Sequence, residues 1–247
     1  MSEHIVTSYD AELSRLNRMI LEMGGRAESQ LAAAVNAFSR RDATLAATIV
    51  RQDDHIDALE AEIDDFAVRL LALRQPFAID LRMVIAAIRI ASDIERIADY
   101  AANVAKRTIA LTKSPPIGPE KVVPRISGMV EAMIRDVLDA FVERDVEKAH
   151  AVWRRDSEVD DVYTSLFREL LTYMMEDPRN IGPCTHLLFI AKNIERIGDH
   201  TTNIAETIHF LVRGERMVEE RPKSDTSSFE VVAPASQGSA PEQGGES

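Results

Sequence analysis

The segment Ile94-Glu95-Arg96-Ile97-Ala98-Asp99 recurs one hundred residues later as Ile194-Glu195-Arg196-Ile197-Gly198-Asp199. The correspondence continues through Asn103/Asn203 and Ala105/Ala205. Upstream, Phe38, Arg41, Asp42, Asp53, Ile56 and Asp57 match Phe141, Arg144, Asp145, Asp156, Val159 and Asp160. The register shifts slightly near Pro76 and Pro183, at breaks where length changes are tolerated. Self-similarity over this span means that one supersecondary unit is built twice.

That unit is helical. Leu13, Leu16, Ile20, Met23, Ala27, Leu31, Ala34 and Phe38 step by three and four, the period of an amphipathic helix. The spacing predicts further helices over 42–73, 77–111, 124–144, 146–174 and from the Pro183 break to about Gly214. Gly24 and Gly25 predict a weak point or bend in the first. In the third and sixth helices, stripes from Met83 to Leu111 and from Leu187 to Leu211 suit lengthwise packing, with Thr108 and Thr201 the polar exceptions. Small residues form a second row: Ala91, Ala98 and Ala105, matched by Ala191, Gly198 and Ala205. The expected fold is all-α: two tandem, pseudo-symmetric three-helix bundles with six long helices. The expected boundaries are 1–113 for the first repeat, 114–121 for a Pro-rich linker, 122–214 for the second repeat and 215–247 for a low-complexity, disordered tail.

Beside each apolar stripe runs a polar row: Glu95, Asp99 and Asn103 in one copy, Glu195, Asp199 and Asn203 in the other. The preceding helices carry Asp53 with Asp57 and Asp156 with Asp160. Each acidic pair is spaced i,i+4, on one helical face, where like charges cost about 0.2–0.5 kcal/mol. A functional explanation is a hard-cation site in each repeat, using carboxylates and an amide oxygen from two adjacent helices. The plainer explanation is a solvated acidic face, partly neutralised by Arg96 and Arg196 pairing with Asp99 and Asp199. Both explanations hold the two ridges out to solvent. Arg96 and Arg196 could also contact an anion, but the neighbouring carboxylates favour intramolecular pairing. His200, whose counterpart is Tyr100, reads as a surface histidine.

A net charge of −12 excludes non-specific attraction to nucleic acid or an anionic membrane. A single cysteine, Cys184, favours a reducing compartment. The polar start, Met1 to Asp10, and the lack of a long apolar run place the chain in the cytoplasm, meeting membranes only through a partner. Glu147/His150 and Glu206/His209 have the Glu-x-x-His spacing of di-iron carboxylate bundles. Neither is repeated in the other half, which argues against that enzyme class. Glycines, internal breaks and the mirrored acidic rows argue against a plain coiled-coil scaffold. No nucleophile elbow or phosphate-cradling glycine loop is present.

The paired segments around Glu95–Asp99 and Glu195–His200, with Asn203-Ile204, Asp80-Leu81-Arg82 and the Asp53/Asp57 pair, resemble the PhoU family. The resemblance spans about residues 8–214. It implies two three-helix bundles and a non-enzymatic cytoplasmic regulator of phosphate uptake and the phosphate-starvation response. The implied partners are the ATPase subunit of a phosphate-specific ABC transporter and a PhoR-type sensor histidine kinase, both damped when phosphate is plentiful. It further implies divalent or ferric ions (Fe, Mn, Mg or Zn), one acidic site or cluster per repeat. The matching positions are Asp53, Asp57, Glu95, Asp99, Asp156, Asp160, Glu195 and Asp199, with Asn103 and Asn203 as secondary candidates. Asp93 becomes Asn193 in the second copy, so equal affinity at the two sites is not expected. A homodimer is the expected assembly.

Overall fold

A computed structural model describes residues 2–218, and these contain helices and short connections but no strand. The helices are α1 (Ser2–Arg40), α2 (Ala43–Gln52), α3 (Asp54–Arg74), α4 (Ala78–Leu111), α5 (Val122–Glu143), α6 (Val146–Glu176) and α7 (Ile181–Arg213). Helices α1 to α4 form the first copy and α5 to α7 the second. The expected second helix is interrupted at Asp53, whereas its counterpart α6 runs unbroken past Asp156. Asp53 itself keeps helical angles, φ −56° and ψ −42°. The interruption is local: the Ile56 amide donates to the Asp53 carbonyl at 2.8 Å, tightening one turn. The composition shift beyond Arg221 lies outside the described residues.

The repeated Arg-Asp dipeptide has a structural cause. Arg41 and Arg144 follow α1 and α5 in left-handed conformation, with φ of 52° and 53°. The next residue caps the following helix. Asp42 accepts from the Thr44 and Leu45 amides, and Asp145 from those of Glu147 and Lys148. Glycine adopts positive φ without steric cost. Arg144→Gly therefore raises stability by about 0.5–1 kcal/mol, measurable by urea unfolding. Arg41→Gly does not, because the Arg41 side chain is employed. Its Nη1 donates to both Glu120 carboxylate oxygens at 3.0 Å, and its Nη2 donates to the Leu111 and Ser114 carbonyls. These bonds tie the proline-rich linker to the end of α1.

Both apolar stripes are buried, and α4 and α7 pack against each other to join the copies through one continuous core. The polar members of the stripes are tolerated because each is satisfied locally. The Thr108 hydroxyl donates to the Val104 carbonyl at 3.0 Å and Thr201 to Ile197 at 2.8 Å. The bend expected at Gly24-Gly25 does not interrupt α1, which is helical throughout. Gly24 instead permits close contact with α5: a Cβ there would lie 2.6 Å from a Leu138 methyl. Tertiary packing across the two copies outweighs the helix-propensity cost. No described helix is long and apolar enough to cross a membrane.

Candidate functional site

The two acidic faces have the same backbone placement but different surroundings. In the first copy, Asp53, Asp57, Glu60 and Asp64 step along the junction and outer side of α2 and α3, facing Glu95 and Asp99 of α4. Asp57 is exposed, Glu60, Asp64, Glu95 and Asp99 are half-buried, and Asp53 is buried at the base. Gln30 of α1 donates to Asp53 Oδ1 at 2.8 Å and to the Ala98 carbonyl at 3.1 Å, spanning the row of small residues. Burial raises the pKa of Glu95, and the Asp99, Glu60 and Asp57 charges add to it against Arg96. Glu60 is raised by burial and then by Asp64 and Asp57, opposed by a Ser92 hydrogen bond and Arg96. Asp53 is raised by burial, then by Asp99 and Asp57, while Gln30 and Lys106 oppose the shift. Arg96, mostly exposed, approaches Glu95 at 3.5 Å and Asp99 at 3.7 Å. The result is an open anionic trough whose carboxylates repel one another.

In the second copy, Asp156, Asp160 and Glu195 are 1%, 2% and 4% exposed. The expectation that both ridges face solvent therefore fails here, and three substitutions explain why. Counting from the matched aspartates, Tyr163 and Phe167 occupy the places of Glu60 and Asp64, and Lys192 that of Ser92. The Tyr163 and Phe167 rings pack together at 6.5 Å. Lys192 lies 4.8 Å from the Tyr163 ring centre and donates to Glu195 Oε1 at 2.8 Å. Aromatic cover and an internal ammonium thus close the face that stays open in the first copy. Glu195 Oε2 is buried without a hydrogen-bond partner. Burial, reinforced by Asp199 and Asp160 and opposed by Lys192, raises the Glu195 pKa to about 7.

The first trough offers an all-oxygen donor set suited to a hard cation. In the conformation present, no group of three or more His, Cys, Asp or Glu side chains among the described residues converges to hold one. Of the secondary candidates, Asn103 Oδ1 faces Lys106 at 3.4 Å, and Asn203 donates to Asp93 Oδ1 at 3.2 Å. His200 is half-buried rather than a free surface residue, with its Nδ1 2.8 Å from the same Asp93 oxygen. Asp93 is thereby a polar latch between the repeats, a role that Asn193 does not reproduce. Arg96 meets Asp99 as its spacing suggests, but Arg196 lies over the Tyr100 ring, 5.6 Å from its centre.

The two Glu-x-x-His pairs meet across α6 and α7, where His150 Nε2 lies 2.9 Å from His209 Nδ1. Glu206 accepts instead from the Trp153 indole at 3.1 Å. These contacts form a hydrogen-bonded stack, and among the described residues no further glutamates converge on it as a di-iron centre needs. Glu60 and Asp64 are functional candidates that the matched pairs alone do not reveal, since their counterparts are aromatic. Continuation of the Asp53/Asp57 spacing by three and four residues is the signal that finds them.

A family model described as the PhoU domain matches residues 20–108 and again 123–208. A Caulobacter vibrioides protein described as a phosphate-specific transport system accessory protein PhoU homolog is 50% identical over 229 residues, covering 92% of this chain and 100% of the relative. The crystal structure of PhoU from Pseudomonas aeruginosa superposes with a TM-score of 0.81 at 41% identity, covering 84% of this chain and all of that one. The crystal structure of the phosphate transport system regulatory protein PhoU from Streptococcus pneumoniae gives 0.80 at 29% identity, covering 85% and 99%.

Proposed function

The chain belongs to the PhoU family, and we propose that it is an accessory protein of a phosphate-specific transport system that regulates by contact and not by catalysis. The observation that carries this reading is that both halves match the PhoU domain and together span most of the chain. In the finer form of the proposal, the protein works in the cytoplasm as an adaptor. It docks on the ATPase subunit of a phosphate ABC transporter and on a PhoR-type sensor kinase, damping both when phosphate is plentiful. The first-copy trough supports a docking role because it is open and its many carboxylates outnumber the one guanidinium, Arg96, that lies against Glu95 and Asp99. Such a surface steers a basic partner and sets its orientation. Affinity capture of the chain from cells grown in high and low phosphate tests the adaptor role. Recovery of the ATPase and the kinase from phosphate-rich cells is expected, and recovery of neither in either condition contradicts it.

A hard divalent or ferric ion held by Asp57, Glu95 and Asp99, after side-chain rotation, belongs to the same proposal. The second copy already places the Lys192 ammonium on Glu195, so ion binding there is weaker. Addition of Mn²⁺ is accordingly expected to raise the melting temperature of the wild type. Neutralisation of Asp57, Glu95 and Asp99 together abolishes that increase. An equal increase in the neutralised variant contradicts ion capture by the trough.

A further inference from the structure

The α4–α7 junction carries two equivalent clefts, one at each end of the pseudo-symmetric pair, and their chemistry has diverged. The first, of about 440 Å³, is lined from α4 by Asn103, Lys106 and Arg107 and from α7 by His186, Asn193 and Arg196, with no carboxylate among its lining residues. In the second, of about 270 Å³, Glu206 and Thr207 stand where Lys106 and Arg107 stand in the first. Asp93 likewise replaces Asn193 at the matching position, so packing of the duplicated helices does not itself require a basic cleft.

Among the described residues, no acid forms an ion pair with either guanidinium of the first cleft. Arg107 rests 4.4 Å from the centre of the Phe189 ring, and Arg196 rests on Tyr100. A ring contact of this kind leaves guanidinium N–H donors that can meet an anion. Lys106 also acts on Asp53, at the base of the acidic trough, and contacts Asn103. His186 Nδ1 is buried and lacks a hydrogen-bond partner. Three cationic side chains gathered beside an unpartnered ring nitrogen, in a chain of net charge −12, give this cleft a local charge opposite to that of the whole and matched to an anion.

We propose that the cleft between the C-terminal half of α4 and the N-terminal half of α7 binds a small phosphate-bearing anion. Arg107 and Arg196 supply the charge-assisted hydrogen bonds, and Lys106, Asn103, Asn193 and His186 complete the lining. The volume lies within the range of small-ligand sites, roughly 300–1,000 Å³, and exceeds what one orthophosphate fills. Free orthophosphate, pyrophosphate and a nucleotide share this chemistry, and separate titrations distinguish them.

Isothermal titration of the full chain with each of the three, in metal-free buffer, is the test. Saturable binding of at least one is expected, and the tightest of them identifies the source. Arg107→Gln with Arg196→Gln weakens that binding at least about tenfold, the equivalent of ~1.4 kcal/mol. Arg89→Gln with Arg216→Gln, in the other cleft, leaves it unchanged. The proposal is overturned if none of the three saturates at roughly millimolar concentration, the weak end of specific affinity. It is also overturned if the two double variants behave alike. Capture of transporter or kinase by the chain does not depend on this outcome.

Discussion

Glu195→Gln stabilises the protein at pH 8 and leaves it unchanged near pH 4. Burial pushes the Glu195 carboxyl up to about 7 in the folded protein, from an ordinary value of 4.5. Between these values the folded state binds the proton more tightly than the unfolded state. Stability associated with this group is therefore fully present below about 4.5 and is lost as pH rises through 7. A shift from 4.5 to about 7 corresponds to a loss on the order of 3 kcal/mol at alkaline pH. Glutamine retains an oxygen for Lys192 Nζ and removes the buried charge. Urea unfolding of both proteins across this range measures the difference. A gap that stays constant with pH contradicts the buried, proton-binding role of Glu195.

Neutralising the open trough has the reverse signature. Asp57→Asn, Glu95→Gln and Asp99→Asn together remove like charges that repel one another, so folding stability is unchanged or rises by a few tenths of a kcal/mol per relieved pair. If the trough is the docking surface proposed above, regulation is nevertheless lost. A phosphate-starvation reporter in phosphate-rich cells is expected to be derepressed about tenfold or more, as for loss of ~1.4 kcal/mol of partner binding. Function lost without stability lost separates a docking surface from a structural ion network. Intact repression by a well-folded triple variant contradicts the docking role.

Much of this arrangement was readable from the residues. The repeated segments and their three-and-four spacing identify the helices, the duplication and the rows that carry the acids, because periodicity directly encodes which side of a helix is buried. Exposure of the acids was not readable from the matched positions. Asp57 and Asp160 are equivalent, yet one is open and the other buried, because Glu60, Asp64 and Ser92 in one copy are Tyr163, Phe167 and Lys192 in the other. Those residues act on the acids from neighbouring turns and from the facing helix, so their effect depends on how the helices are paired. Gly24 illustrates the same limit: local propensity marks a weak point, while the close approach of Leu138, 114 positions away, decides its role. The latch from Asp93 to His200 and Asn203 joins residues of different repeats, a contact that alignment of one half on the other does not expose.

Hydrogen exchange of the chain alone and with the purified transporter ATPase tests most directly whether the open face of the first copy is the docking surface. Slowed exchange is predicted along α3 and the facing middle of α4, around Asp57, Glu60, Glu95 and Asp99, with little change around Asp156 and Asp160. Protection confined to the second copy, with these first-copy segments exchanging as in the free protein, would contradict it.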